Sequence, residues 1–584
     1  MNQPIAFGID FGTSTSEIAY FTDGSPRLVP DVSSSSRSPI VPSLVAIDPG
    51  DNLVIGESAR GIVDSPGNGV REVKRLLGSG KTVSLRGREY RPEALAALII
   101  RRLRENAELV LQHQVTDVVL SVPAMFPDQA RQATLQAGEL AGLKVVSLIN
   151  EPTAAALAFG INNLDVDEKL VVLDFGGGTL DITILDMANG VIDVRASYGD
   201  PCLGGKDFDE VMMQLILSKL KKDYQGARIS ENSLHHLKAD AEKAKMALSV
   251  TSSTWIRMPS FAADASSRSI DLEVEVTRSE FEHACGWLLD RARQCIDRAM
   301  TAAKVDIRSI GRVLLVGGTT YMPSVRSMVA DTFGKIPRTD VDPDLGVAIG
   351  TCVKAACESG LVTDERRPIL ADVAPYGLGI AVVSMYGNKP VMTYDPLIAP
   401  NQPVPYSVSR EYTLLFSDQE FVEVSLYQSL DSRQCPLNTP GIVTIGVNGT
   451  IQDIPPSPTD EPHPIRVDFA YGVDGLAQLH ASIPATGQSV HLAYTKTEFR
   501  MDSTDMERAK KHVDALWMQN PRYRGCRSLI ERAEDLISRG VYSNRKEIGV
   551  AVAALKAALE DGGQARIDEC EDRLTDLLID AESE

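Results

Sequence analysis

The sequence lacks the features that mark several broad classes of protein. None of its eight cysteines lies in a C-x-x-C pair or a metal-like cluster, so we expect reduced thiols rather than a disulfide framework or zinc domain. Basic residues are in deficit, with 59 Lys and Arg against 79 Asp and Glu and a net charge of −20. This balance argues against nucleic-acid binding, although backbone amides can still form a phosphate pocket in an acidic protein.

Long apolar runs are also missing. No stretch approaches the roughly 20 residues of a membrane span, and Met1 to Phe11 lack the basic start and apolar core of a signal peptide. We therefore expect a soluble, cytoplasmic protein with no nucleic-acid or membrane partner. With 584 residues, of which 43% are hydrophobic, the chain is globular and too long for one core, so two to four domains are expected.

A glycine turn at residues 174–181, D-F-G-G-G-T-L-D, is the most informative stretch. The apolar runs at 170–173 and 182–185 predict a strand on either side of it. Three consecutive glycines carry no Cβ, so backbone N–H groups can approach an anion closely. Asp174 at the mouth of the turn is placed to hold a hydrated divalent cation, and Thr179 adds a hydroxyl. An ordinary glycine hairpin explains this single stretch equally well.

The same pattern occurs near the start of the chain, in I-A-F-G-I-D-F-G-T-S-T-S-E-I at 5–18. Asp10 aligns with Asp174, and Glu17 aligns with Asp181. In each half, a later strand leads to a helix that begins at an acidic-proline turn. Two similar α/β halves that face each other predict a ligand cleft, because ligands in such folds bind where strands end and turns converge.

These residues resemble the actin, hexokinase and heat-shock ATPase superfamily, and more closely the seventy-kilodalton heat-shock chaperones, the DnaK family. The motifs that carry the resemblance are G-I-D-F-G-T-S at 8–14, V-K-R-L-L-G at 73–78, S-V-P-A-M-F at 121–126, I-N-E-P-T-A-A-A-L-A-F-G at 149–160, D-F-G-G-G-T-L-D at 174–181, L-G-G-K-D-F-D at 203–209, A-E-K-A-K at 241–245 and V-G-G-T-T-Y-M-P at 316–323. The chain looks most like the compact bacterial branch, which has a shortened lid.

The resemblance implies a multidomain fold: an α/β actin-like ATPase with two pseudo-repeated lobes, then an antiparallel β-sandwich and a C-terminal helical segment. Polar residues follow Gly360, and period-two alternation such as F-V-E-V-S-L-Y at 421–427 predicts strands beyond them. The predicted boundaries are 1–362 for the nucleotide-binding ATPase domain, 363–371 for the interdomain linker, 372–497 for the peptide-binding β-sandwich and 498–584 for the helical lid segment.

Members of the family hydrolyse ATP, which requires cradled phosphates, neutralised charge and a positioned attacking oxygen. By resemblance, Asp10 and Asp174 hold Mg²⁺ mostly through water, with K⁺ as a further candidate cation. The implied catalytic residues are Lys74, Glu151, Asp174 and Thr179. The residues implied to bind ATP or ADP are Gly12, Thr13, Ser14, Thr15, Gly176, Gly177, Gly178, Thr179, Gly204, Gly205, Glu242, Lys245, Ser249, Gly317, Gly318, Tyr321 and Asp344. Without the motif around it, Lys74 would more often be a surface lysine.

The β-sandwich of this family holds extended apolar polypeptide by main-chain hydrogen bonds and side-chain pockets. The residues implied for these pockets are Ile380, Val383, Tyr412, Val422 and Val424, each of which also suits a plain sandwich core. Val422 and Val424 share one face of a period-two strand. The residues implied to couple nucleotide state to the β-sandwich are Pro123, Arg131 and Asp372.

The implied partners are unfolded or extended polypeptide clients, a J-domain cochaperone and a nucleotide exchange factor. The sequence departs from the family pattern at two of the implied contacts. Tyr321 stands where the family has an arginine that stacks on the adenine, with Met246 expected on the opposite side. Ser147 stands where the family has an arginine that faces the J-domain partner.

Two alternative functions remain open. One is a small-molecule kinase of the same superfamily, which would transfer the γ-phosphate to a sugar and has no use for residues 372–497. The other is a nucleotide-binding regulatory scaffold with specialised clients, which would bind nucleotide without turnover. The sequence favours an ATP-dependent chaperone over both.

Overall fold

A computed structural model describes residues 4–583 except positions 33, 35, 339, 364–365, 387–388, 473–474, 476, 494–500, 502, 520–525, 527–528, 531, 535, 538–544 and 562–563. The predicted boundary between residues 497 and 498 lies outside the described residues. In the described part of the chain, no helix is long and apolar enough to cross a membrane.

The first 160 residues form an α/β lobe. Its strands are β1 (Ala6–Phe11), β2 (Thr15–Thr22), β3 (Ser25–Leu28), β4 (Val41–Pro42), β5 (Val45–Ile47), β6 (Leu53–Ile55), β7 (Gly69–Val70), β8 (Val83–Leu85), β9 (Arg88–Tyr90), β10 (Asp117–Val122) and β11 (Lys144–Asn150). Its helices are α1 (Pro92–Leu111), α2 (Asp128–Leu140) and α3 (Glu151–Gly160). The main sheet has the order β11-β10-β1-β2-β3, with β4 also paired to β2.

A second lobe, from residue 168 to 358, repeats this plan. Its strands are β12 (Glu168–Phe175), β13 (Leu180–Ala188), β14 (Val191–Asp200), β15 (Arg228–Ile229), β16 (Ser253–Ala263), β17 (Ser269–Thr277) and β18 (Ile310–Val316). Its helices are α4 (Gly205–Asp223), α5 (Glu231–Leu248), α6 (Arg278–Ala284), α7 (Gly286–Ala303), α8 (Pro323–Phe333) and α9 (Gly346–Glu358).

The internal repeat predicted from the sequence is confirmed by strand register. Asp10 lies opposite Glu17 in the β1–β2 hairpin, and Asp174 lies opposite Asp181 in the β12–β13 hairpin. In each lobe a parallel strand, β10 or β18, pairs with the other side of the first hairpin strand. Helices α3 and α9 pack on each other between the two sheets, where a Cβ on Gly350 would overlap the backbone of Ala154.

The β-sandwich begins from a strand that also belongs to the second lobe. This strand, β19 (Ile369–Ala374), runs parallel to β14 and antiparallel to β22 (Gln402–Val404). Part of the predicted linker, residues 369–371, is therefore a strand paired with residues 191–193.

Two antiparallel sheets form the sandwich and enclose a common apolar core. The other strands are β20 (Gly377–Tyr386), β21 (Lys389–Ile398), β23 (Tyr406–Thr413), β24 (Val422–Ser429), β25 (Cys435–Pro436), β26 (Val443–Ile451), β27 (Pro464–Tyr471), β28 (Ala477–Ser482) and β29 (Ser489–Ala493). The sheet orders are β25-β21-β20-β24-β26 and β23-β27-β28-β29. The predicted antiparallel sandwich is confirmed.

The C-terminal segment is helical, as predicted, and packs on the first lobe. Its helices are α10 (Ser503–Trp517), α11 (Arg545–Asp561) and α12 (Gln564–Ser583), and both α10 and α12 contact α1. Trp517 is fully buried, with the Arg101 guanidinium 4.9 Å from its ring centroid. Arg101 Nη1 also donates to Asp514 Oδ1 at 2.6 Å. The described C-terminal helices thus share a core with the first lobe.

Candidate functional site

A cavity of about 600 Å³ opens between the two lobes. Most residues predicted to bind nucleotide line it, together with all four predicted catalytic residues. The lining residues among them are Asp10, Gly12, Thr13, Ser14, Thr15, Lys74, Glu151, Asp174, Gly176, Gly177, Thr179, Gly205, Glu242, Lys245, Ser249, Gly317, Gly318, Tyr321 and Asp344. Gly178 and Gly204 do not line the cavity but pack against each other, since a Cβ on Gly204 would overlap Gly178 N.

The two glycine turns touch each other at the floor of this cavity. A Cβ on Gly177 would overlap Ser14 Oγ of the opposite turn, so glycine lets the two turns approach this closely. The second turn is closed by a hydrogen bond from Gly176 N to Thr179 O at 3.1 Å. The turns therefore form a pair of backbone surfaces on which an anion can be held from both lobes.

Buried carboxylates surround one buried lysine beside these turns. Lys74 Nζ lies 2.5 Å from Glu151 Oε1. This ion pair connects the 3₁₀ helix at residues 73–76 to the start of α3. Ser121 Oγ donates to Asp10 Oδ1 at 2.6 Å, and Met125 N donates to Asp181 Oδ1 at 2.9 Å.

The carboxylates are crowded enough to change their titration. Burial, followed by the charge of Glu151, raises the pKa of Asp10 and that of Asp181 to about 7. The same two causes raise the pKa of Asp174 well above its ordinary value, and burial does the same for Glu17. Glu17 Oε1 and Asp181 Oδ2 are buried without a hydrogen-bond partner among the described residues. The site is therefore short of positive charge.

Helix α5 supplies the side of the cavity away from the turns. Glu242, Lys245 and Ser249 all reach the cavity, as their spacing on one helix face predicts. Lys245 Nζ donates to Gly205 O at 3.0 Å, and Glu242 Oε1 lies 2.9 Å from Lys206 Nζ. Both charged residues are thus held by the first turn of α4.

The two residues predicted to flank an adenine ring both line the cavity. Tyr321 follows β18, and its hydroxyl donates to Asp344 Oδ2 at 3.1 Å. Its side chain remains 43% exposed and that of Met246 on α5 64% exposed. Each therefore has free surface with which to contact a flat ring.

Several charged residues that were not predicted also line the cavity. Arg71 forms an ion pair with Asp64, and its Nη1 lies 3.7 Å from Glu242 Oε2 of the other lobe. Glu72 also lines the cavity, and Lys238 Nζ of α5 lies 3.2 Å from its Oε1. Only Lys206 carried a signal, because it lies inside the motif at 203–209.

The three residues predicted to couple the domains lie together at the start of the β-sandwich. Arg131 Nη2 donates to Pro123 O at 3.4 Å and to Asn150 Oδ1 at 2.6 Å. Asn150 Nδ2 in turn donates to Asp372 Oδ2 at 3.2 Å. Burial raises the pKa of Asp372. Arg131 therefore reaches the linker strand through Asn150.

A second connection was not predicted. Tyr376 of the β-sandwich donates its hydroxyl hydrogen to Met125 O at 2.9 Å, and Met125 N donates to Asp181 of the cleft. One residue thus bridges the carboxylate cluster and the β-sandwich. Met125 takes part through its backbone, so its side chain gave no sequence signal for this role.

The five residues predicted for peptide binding separate into two groups. Ile380 and Val424 are buried in the sandwich core, and Tyr412 and Val422 pack against the same core. Val422 and Val424 share a face, as predicted. Val383 is exposed on the outer face of β20, opposite Met392 of β21.

Ser147, at the position predicted to face a J-domain partner, is half-buried on β11. Its hydroxyl donates to both carboxylate oxygens of Glu358, at 3.0 and 2.9 Å. The surface at this point therefore presents a neutral side chain tied to an acidic one.

The fold and the cleft together define a class of protein. Two lobes of one plan meet at paired glycine turns, and a charged cleft between them is connected to a β-sandwich by a strand and by hydrogen bonds. This is an actin-like ATPase joined to a second domain.

Comparison with known proteins narrows the class to one family. The sequence model of the family described as Hsp70 protein matches residues 6–83 and 79–581. A chaperone protein DnaK from Thermotoga petrophila is 34% identical over 559 residues, which cover 95% of this chain and 91% of that protein. Those from Nitrosopumilus maritimus and Mycoplasma mobile are each 34% identical, covering 86% and 87% of this chain and 77% and 80% of theirs.

The chain therefore belongs to the Hsp70 family. It is an ATP-dependent molecular chaperone that binds and hydrolyses ATP. The two alternatives left open by the sequence, a small-molecule kinase and a regulatory scaffold, are not favoured.

Proposed function

We propose that ATP binds with its phosphates between the two glycine turns and its adenosine along α5, and that its hydrolysis controls how the β-sandwich holds polypeptide. The observation that carries this proposal is the cluster of buried carboxylates around Lys74. The cluster has more acidic groups than basic ones, so a bound cation would stabilise it. The nucleotide-binding roles are those predicted from the sequence, with Tyr321 and Met246 on either side of the adenine.

The residues present fit Mg²⁺. This ion prefers oxygen ligands and keeps several of its waters, and Asp10 and Asp174 bring carboxylate oxygens to the two turns. Among the described residues, no three His, Cys, Asp or Glu side chains form a set of direct metal ligands, which suits an ion held largely through water. When bound, Mg²⁺ neutralises phosphate charge. K⁺ is proposed as a second cation, because this cluster of buried carboxylates is short of positive charge.

Lys74 is the residue proposed to orient the hydrolytic water. Its side chain is only 2% exposed, and Nζ lies 5.8 Å and 5.7 Å from the ring centroids of Phe11 and Phe126. With Glu151 on its other side, the ammonium group has one fixed position. Thr179 is proposed to contact the terminal phosphate from the second turn.

Single-turnover hydrolysis of bound ATP by Lys74→Ala tests this role. We expect the rate to fall by about 10² or more, as when a preorganised donor is removed from an active site. ATP binding should persist, which calorimetry can verify. Lys144→Ala is the matched control, since Lys144 is exposed on β11. Hydrolysis at the original rate in Lys74→Ala would remove Lys74 from the mechanism.

The β-sandwich is proposed to bind extended apolar polypeptide clients. Further exposed apolar side chains were not predicted. Met385 on β20 and Met392 on β21 lie near Val383, and Leu415, Phe416 and Phe421 lie between β23 and β24. Ile380, Tyr412, Val422 and Val424 would form the inner support of this surface. A contiguous exposed apolar patch usually marks a binding surface.

Peptide binding and nucleotide turnover should be coupled in both directions. Saturating amounts of an extended apolar heptapeptide should change the steady-state ATPase rate and the affinity for ADP, whereas a charged heptapeptide should change neither. If the apolar peptide binds and both quantities stay constant, the coupled-chaperone proposal fails while the ATPase proposal stands.

The same architecture supports a division of the chain into domains. We propose an ATPase domain at 1–362, a linker at 363–371, a β-sandwich at 372–497 and a helical segment at 498–584. Pairing of β19 with β14 supports the idea that nucleotide state acts on the sandwich through this strand. Pro123, Arg131 and Asp372 are the proposed coupling residues.

The remaining proposals concern the location of the protein and its partner proteins. We propose that the protein works in the cytoplasm with a J-domain cochaperone and a nucleotide exchange factor. The contact of Ser147 with Glu358 predicts that the J-domain partner does not use an arginine here. Ser147→Arg should therefore leave stimulation by the native partner unchanged or lower, measured as single-turnover hydrolysis.

A further inference from the structure

Two histidines face each other on the surface of the β-sandwich. His480 on β28 and His491 on β29 are directly opposite in the antiparallel pair, and their ring centroids are 6.2 Å apart. Both lie on the outer face of the four-stranded sheet, where they line an open depression of about 380 Å³. Neither residue belongs to the nucleotide cleft or to the surface proposed for peptide.

The pair is part of a polar row that crosses the whole sheet. Asp468 on β27 is opposite His480, and Ser409 on β23 is opposite Asp468. Residues directly opposite in antiparallel strands have Cβ atoms about 4.5–5.5 Å apart and point to the same side. Strand register therefore places a hydroxyl, a carboxylate and two imidazoles side by side.

The carboxylate is held where it can orient one of the imidazoles. Asp468 Oδ2 lies 4.0 Å from His480 Nδ1, and Arg466 Nε donates to Asp468 Oδ1 at 3.0 Å. A carboxylate beside Nδ1 leaves Nε2 of His480 free, which is the usual arrangement of a histidine that binds a metal.

We propose that His480 and His491 together bind one borderline divalent transition-metal ion, Zn²⁺ above all, through one imidazole nitrogen each. Imidazole suits Zn²⁺, Cu²⁺ and Ni²⁺. A bound Zn²⁺ lies about 2.0–2.1 Å from each imidazole nitrogen, so small changes in side-chain torsion let both rings share one ion. Asp468 acts as the positioning residue for His480.

The site has two protein ligands and open positions. In the part of the chain that the structure describes, no three His, Cys, Asp or Glu side chains form a ready-made ligand set. A tetrahedral ion held by two imidazoles keeps two positions for water or for a donor from another molecule. The ion would also link β29, the edge strand, to β28.

Metal titration of matched variants tests the proposal. Zn²⁺ is added to the chelator-treated full chain in competition with a chromophoric indicator, for wild type, His480→Gln/His491→Gln and His235→Gln/His236→Gln. The last variant removes two neighbouring imidazoles from α5. We expect the β-sandwich variant to lose one equivalent of Zn²⁺ and the α5 variant to keep it. Equal binding in all three proteins, or equal loss in both variants, would overturn the proposal.

Two further measurements make the assignment specific. Cu²⁺ bound to the full chain should show electron paramagnetic resonance couplings to two imidazole nitrogens, which His480→Gln should reduce to one. Asp468→Asn should weaken Zn²⁺ binding about 10- to 100-fold, as loss of an orienting carboxylate does. Unchanged ATPase rate and circular dichroism would show that the variants are folded. Cu²⁺ couplings that persist in His480→Gln/His491→Gln would contradict the site.

Discussion

The two hairpins of the nucleotide cleft have the same strand pairing, but their acidic side chains have different hydrogen-bond partners. In the first, Asp10 accepts a hydrogen bond from Ser121 of its own lobe. In the second, Asp181 accepts one from Met125 of the other lobe, and Met125 O accepts one from Tyr376 of the β-sandwich. The carboxylate of Asp10 is thus held by its own lobe, whereas that of Asp181 is linked to the other lobe and, through Met125, to the β-sandwich.

This difference suggests a division of roles between equivalent structures. Both hairpins present glycine backbone and an aspartate to the same cavity, so both should be needed to bind and hydrolyse ATP. The second reaches the β-sandwich through one intervening residue, Met125, whereas the route from the first runs through β10 and β11 to Asn150, which donates to Asp372. We therefore expect changes in the two hairpins to have equal effects on chemistry and unequal effects on coupling.

The largest expected effect is the loss of ATP hydrolysis when either of the two equivalent aspartates is replaced. Asp10→Asn and Asp174→Asn should each lower single-turnover hydrolysis by about 10² or more, because each removes a carboxylate proposed to hold Mg²⁺, whose charge stabilisation amounts to several kcal/mol. Asp186→Asn is the control, because Asp186 lies on β13 outside the cavity lining and pairs with Lys169 and Arg195. Loss of activity in only one of the two aspartate variants would show that the hairpins are not equivalent in catalysis.

A smaller effect is expected where the two turns touch. Gly177→Ala adds a methyl group that overlaps Ser14 Oγ, and overpacking of this kind costs about 1–3 kcal/mol. Affinity for ADP, measured by calorimetry, should fall roughly 5- to 150-fold. Gly61→Ala is the matched control, because a Cβ there meets no atom within 4 Å. Normal ADP affinity in Gly177→Ala would mean that the turns can separate without loss of binding.

The smallest effect should separate coupling from chemistry. Tyr376→Phe removes a neutral hydrogen bond worth about 0.5–1.5 kcal/mol. Burial raises the pKa of Tyr376, so its hydroxyl remains a donor throughout the physiological range. Stimulation of the ATPase by peptide should fall roughly 2- to 10-fold, with the basal rate unchanged.

The control for this variant is Tyr224→Phe, which alters an exposed tyrosine at the C-terminal end of α4. It should leave both the basal and the peptide-stimulated rates unchanged. A basal rate lowered in Tyr376→Phe as strongly as in Asp174→Asn would place the tyrosine in the catalytic cleft instead of in the coupling route.

The hairpins could be predicted from the sequence because residues that are adjacent in the chain form both the turn and its flanking strands. Glycines 176–178 allow the turn, the flanking apolar runs form the strands, and the aspartate before each turn reaches the cavity through strand geometry alone. The match between Asp10 and Asp174 then predicts a second lobe. The period-two pattern at 421–427 likewise predicted the face shared by Val422 and Val424.

Other parts of the site depend on contacts that leave no local pattern. Met125 bridges the cleft and the β-sandwich through backbone atoms, which every residue possesses. Arg71 approaches Glu242 only because two lobes close on each other. The strand at 369–371 forms because β14 offers it a partner edge. None of these partners is near in sequence, so residue type alone could not predict them.

The packing of α10 on α1 has a consequence for synthesis. Arg101 and its partner Asp514 are separated by 413 positions, so a ribosome adding about 5–20 residues per second makes the second roughly 20 to 80 s after the first. During that time the surface of α1 that will cover Trp517 is open to solvent. The first lobe to leave the ribosome is therefore among the last to be finished, and this chaperone passes through an interval in which its own apolar surface needs protection.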